Sequence, residues 1–134
     1  MDLRTAVAVF LGGGLGSVAR YLVTFAVAQR IGPGFPWWTF AINISGSFAI
    51  GVVAELYLTR TFGMTTEVRT FFMVGVLGGY TTFSSFALET LGLAREGAPG
   101  LAVTYAAGSI VAGVVAALLG IALARALAGA HASF

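Results

Sequence analysis

Residues Gly78 to Phe86 read GGYTTFSSF, and they lie between Arg69 and Glu89, an interval with no charged residue at all. A lipid-facing helix would favour leucine in such a place. Glycine has poor helix propensity, and Ser and Thr hydroxyls compete for backbone groups, so this stretch predicts an interruption of the helix in mid-span. Non-helical backbone at membrane depth survives only when it is buried in protein or lines water. The stretch is therefore read as facing inward. A broken helix leaves carbonyls free to bind a hard cation and N–H groups free to bind an anion.

The rest of the chain supplies the membrane setting. Its 134 residues are 58% hydrophobic and 9% charged, with a mean hydropathy of +0.96, a composition outside the soluble range. Charges mark the limits of the apolar runs. Between Arg4 and Arg30 only Arg20 is charged, between Arg30 and Arg60 only Glu55, and between Glu96 and Arg125 nothing. Each run holds the roughly 20 residues a helix needs to cross about 30 Å of hydrocarbon. The expectation is an all-α, multi-pass protein of the plasma (inner) membrane, one transmembrane domain over 1–134, with spans near 5–29, 37–58, 70–92 and 99–124.

Several function classes drop out. Seven arginines and five acids are spread without a basic cluster, which supports no nucleic-acid partner. The absence of cysteine excludes disulfides and thiol chemistry. His131 stands alone and is read as solvated. No lysine follows the Gly12–Gly16 cluster, so it is not a nucleotide-binding loop. Arg20, together with Asp2 and Arg4, argues against a cleaved leader.

Four spans put both termini on one side. Arg4, Arg60, Arg69 and Arg125 flank that face and Arg30 and Arg95 the other, a weak bias by the positive-inside rule. With short loops and no lysine, the chain is a candidate to insert in both orientations and pair as an antiparallel, dual-topology homodimer. Gly32 to Pro36 reads as a turn, Trp37-Trp38 as an interfacial anchor, and Pro99 as a helix opening. Small residues recur at packing intervals: Gly12 and Gly16, Ser47 and Gly51, Gly75 and Gly79, then Gly108, Gly113 and Gly120.

Polar residues inside the spans require partners. Thr39, Asn43 and Ser47 lie four residues apart on one helix face, and Tyr105 and Ser109 repeat the spacing, with Gly113 continuing the stripe without a donor. Such stripes are either interhelical hydrogen-bond seams or walls of a polar pathway. Arg20 either binds carbonyls at a helix break or sets a positive potential that attracts anions. Glu55 and Glu89 are placed at the water boundary. Phe83 and Phe86 share a face if the helix resumes after the break; they pack, or they present positive ring edges to an anion. Amide and hydroxyl donors, ring edges, one deep arginine and no carboxylate at the centre of a span together favour a small anion.

These motifs resemble the Fluc (CrcB) fluoride channel family over nearly the whole chain. The matching segments are GGGLGSVARY at Gly12–Tyr21, NISGSF at Asn43–Phe48, and GGYTTFSSF itself. The resemblance implies a non-enzymatic, passive channel that exports fluoride, built as an antiparallel homodimer with two pores at the subunit interface. It implies a central structural Na+ held by the backbone carbonyls of Gly78 and Thr81. It places Asn43, Phe83, Phe86, Tyr105, Ser109 and Thr39 on the fluoride pathway, and Glu89 less securely. Ser85 and Ser17 stand where the family often has threonine and alanine, and Gly113 where some members carry a further serine. The rival readings are a small dual-topology multidrug transporter, which wants a carboxylate where the first span has Arg20, and an assembly subunit without transport.

Overall fold

The computed structural model describes residues 3–32, 34–60 and 63–131; Asp2, Pro33 and the side chain of His131 lie outside the described residues. Four helical spans are long and apolar enough to cross a membrane. The first two are α1, Leu3–Ala28, and α2, Trp37–Leu58. The third is composite: α3 (Thr66–Thr70), a π-helical turn (Phe71–Val76), α4 (Leu77–Tyr80) and α5 (Phe83–Arg95). Between α4 and α5, Thr81 and Thr82 are extended, with ψ of 160° and 117°. The last, α6, runs Pro99–His131.

Two ends are set by local chemistry. The Thr65 hydroxyl accepts from Val68 N at 3.4 Å and caps α3, so the third span starts earlier than residue 70. At the end of α5, Gly97 takes φ of +84°. Gly97 N bonds Ala94 O and Ala98 N bonds Leu93 O, at 3.3 and 3.0 Å, a paired closure that needs a left-handed residue and favours glycine. Pro99 then opens α6 at once.

Small residues let the spans meet backbone to backbone. Gly12 of α1 faces Phe71 O and Gly75, Gly16 faces Val76 and Tyr80, and Gly79 faces Gly13. On the other side α2 and α6, the second and fourth spans, run in the same direction, with Gly51 against Ala117 and Gly120 against Phe48 and Val52. Gly108 meets nothing within 4 Å, so the packing role its spacing suggested is not used within this chain.

Two residues near span ends find partners in the protein. Glu55 is buried, and its Oε1 accepts from Arg125 Nε at 2.8 Å. That pairing also lets α6 pass through Arg125 instead of ending before it. Of the tryptophan pair, Trp37 stays exposed as an anchor would, but the Trp38 indole donates to Glu89 Oε1 at 2.8 Å.

Candidate functional site

The extended pair Thr81–Thr82 is held by one side chain from α2. Asn43 Nδ2 donates to Thr82 O at 3.0 Å, while Asn43 Oδ1 accepts from Thr82 N at 2.9 Å. The amide thus pairs with a peptide as a neighbouring strand would. In an unbroken helix Thr82 N–H would bond the Gly78 carbonyl, and Ser85 N–H the Thr81 carbonyl. Here the first goes to Asn43 and the second to Thr82 Oγ1 at 3.2 Å, which caps α5. The carbonyls of Gly78 and Thr81 are left without the partners that a continuous helix provides.

Neighbouring contacts brace the interruption. Thr81 N and Thr81 Oγ1 both donate to Leu77 O, at 3.0 and 2.8 Å. The Tyr80 hydroxyl lies 2.9 Å from Ser45 Oγ, and its ring covers Gly46. Beside the interruption is a cavity of about 290 Å³ whose lining includes Asn43, Ser47, Gly78, Thr81, Thr82 and Phe83. Phe83 is 79% exposed, while Phe86 packs on Tyr105 with ring centroids 5.3 Å apart; the two phenylalanine rings are 5.6 Å apart.

One helical stretch beyond, Glu89 ties three elements together. Its Oε1 accepts from Trp38 Nε1 and Thr39 Oγ1 of α2, and its Oε2 from the Tyr105 hydroxyl of α6, all at 2.8 Å. Thr39 and Tyr105 are almost fully buried. An anion that takes a hydrogen bond from either must compete with this carboxylate. Tyr105 also anchors an aromatic cluster with Phe35, Phe40 and Phe86. On the α6 stripe, Ser109 Oγ is buried and has no hydrogen-bond partner among the described residues. Arg20 lies one turn beyond Gly16 and is half-buried; its guanidinium makes no hydrogen bond among the described residues.

The geometry therefore brings Asn43, Gly78, Thr81 and Phe83 around one cavity and Thr39, Phe86, Tyr105 and Glu89 into a second cluster. Sequence reasoning missed Trp38, Ser45, Tyr80 and Thr82. Thr82 had a local signal, a threonine three residues before Ser85 at the start of a helix. The other three are recognisable only from partners 35 or more residues away.

The comparisons with known proteins cover both clusters. Residues 7–121 match the family described as CrcB-like protein, Camphor Resistance (CrcB). Similar proteins, each named fluoride-specific ion channel FluC, come from Agrobacterium fabrum (47% identical over 85% of this chain and 90% of its own), Rhodospirillum centenum (45%, 92% and 97%) and Novosphingobium aromaticivorans (48%, 90% and 95%). Since that match runs from α1 through most of α6 and takes in the interruption with its Asn43 brace, this chain belongs to the CrcB-like family.

Proposed function

We propose that the chain is a passive, fluoride-selective channel of the plasma (inner) membrane, acting as an antiparallel dual-topology homodimer with two pores and lowering the toxicity of cytoplasmic fluoride. The observation that carries this reading is the extended Thr81–Thr82 pair, held by Asn43 against a cavity in a span whose centre has no carboxylate. The names of its relatives support the ion. Fluoride is small and strongly hydrated, so a pore must offer close donors as its water is removed. Hydroxyls, the Asn43 amide and positive ring edges of Phe83 and Phe86 are such groups. No energy source is needed. Hydrogen fluoride enters neutral and ionises inside, and an inside-negative potential favours exit of one anion by about 2.3 kcal/mol per 100 mV, roughly a fifty-fold ratio.

The exposed Phe83 and the open cavity give a second subunit a surface to cover. The carbonyls of Gly78 and Thr81 suit a sodium ion, because a hard cation takes neutral oxygens and these two lack helical partners. Two subunits would supply four such oxygens to an ion whose task is structural. Arg20, inside the first span, adds a positive potential that attracts anions. A multidrug transporter is disfavoured because α1 carries Arg20 and no acid.

Reconstitution tests the reading. Proteoliposomes holding the chain are expected to release fluoride and retain chloride, as followed with ion-selective electrodes, and equal release of both would refute selectivity. Phe83→Ile is expected to remove fluoride release while the protein still elutes as the parent does; unchanged release would take Phe83 off the pathway. For the topology, a tag on the C-terminus is expected on both sides of the membrane. Strictly one-sided tags would exclude the antiparallel pair.

A further inference from the structure

Several hydroxyls within the spans turn back on the carbonyl one helical turn earlier. Ser45, Thr70, Thr81, Thr90 and Thr104 do so, to Ala41, Thr66, Leu77, Phe86 and Gly100, at 2.7–2.9 Å. Ser47 does not, and among the described residues its hydroxyl makes no hydrogen bond. It lies on the seam between α2 and α6, with its Oγ 3.4 Å from where a Cβ on Gly113 would stand. It also lines the cavity that contains Asn43 and Phe83.

The other donors of that seam are differently engaged. Thr39 and Tyr105 are held by Glu89, and the Asn43 amide is held by Thr82. At Ser47, Ser109 and Gly113 the seam holds two hydroxyls without partners among the described residues, and that of Ser109 is buried, a state that requires an explanation. We propose that Ser47 is a further fluoride-binding residue, donating its hydroxyl to the ion from the α2 side of the seam at the level where α6 offers only Gly113. Its hydroxyl turns toward the ion without first breaking another hydrogen bond. Ser109 donates from α6 one turn away, so the ion is passed between two neutral donors and meets no carboxylate there. Gly113 supplies the space for this, since a larger residue would crowd Ser47 Oγ.

This assignment rests on the reading of the chain as a fluoride channel, and the test separates the two. Fluoride release is measured from proteoliposomes holding the parent chain, Ser47→Ala, Ser47→Thr, and Ser47→Ala combined with Gly113→Ser. Ser47→Ala is expected to slow release about tenfold, the worth of one hydrogen bond on the pathway. Ser47→Thr keeps the hydroxyl and is expected to stay within about twofold of the parent. The double variant returns a hydroxyl to the same point from the opposite helix and is expected to recover most of the loss. Parent-like release by Ser47→Ala overturns the proposal, and so does a loss that neither Ser47→Thr nor the double variant escapes, which would assign Ser47 to packing. A parent chain that releases no fluoride overturns the channel reading itself and the proposal with it.

Discussion

Replacing Asn43 with aspartate is expected to reduce fluoride release from proteoliposomes by at least about 100-fold, the equivalent of roughly 2.7 kcal/mol. The two residues have nearly the same shape, so the effect isolates chemistry. Asn43 presents an N–H to the Thr82 carbonyl and an oxygen to the Thr82 N–H. A carboxylate keeps the second contact and turns the first into two oxygens 3.0 Å apart. It also puts a negative charge into a partly buried site along an anion's route, where charge is least screened. Asn43→Ala removes the brace without adding repulsion and is expected to lose about tenfold. Release by Asn43→Asp within twofold of the parent would mean that the pairing with Thr82 is incidental to conduction.

The second large effect is structural. Gly16→Ala would put a methyl group against Val76 O and 2.8 Å from Tyr80 N, where no side chain can rotate away. The conflict is backbone against backbone, so relief requires α1 to withdraw from α4. A cost of about 3 kcal/mol or more is expected, seen as a fall of roughly 10 °C in the unfolding midpoint in detergent. Gly14→Ala is the internal control, because a Cβ at position 14 meets nothing within 4 Å. Helix propensity alone then predicts an unchanged or slightly higher midpoint. Equal behaviour of the two variants would contradict the α1–α4 contact.

Much of the architecture was legible because arginines and acids punctuate the apolar runs, and a run of about 20 residues between charges has few alternatives to a spanning helix. The same habit misplaced two limits. Arg125 looked like the end of the last helix, yet its partner is Glu55, and a paired charge does not terminate a span. Thr65 supplied an earlier start for the third span by capping it. The site was legible as an inventory more than as an arrangement. That Asn43 and GGYTTFSSF both need interior surroundings follows from polarity. That Asn43 bonds Thr82, 39 residues away, depends on which peptide the interruption leaves free. Glu89 was the hardest to read, since one glutamate near a span end gives no local sign that it will collect Trp38, Thr39 and Tyr105.

The pairing of buried Glu55 with the largely exposed Arg125 also bears on how the chain lies in an electric field. By sequence, the face that holds the termini has Arg4, Arg60, Arg69 and Arg125 against Asp2, Glu55 and Glu67, while the opposite face has Arg30 and Arg95 against Glu89 and Glu96. The excess is one positive charge on the first face and none on the second. Counting arginines alone gives a bias of two charges; counting them with the acids halves it. Inversion therefore moves a net one charge across a polarised membrane instead of two, a difference of about 2.3 kcal/mol per 100 mV, and the ion pair at the foot of α2 and α6 supplies part of that reduction.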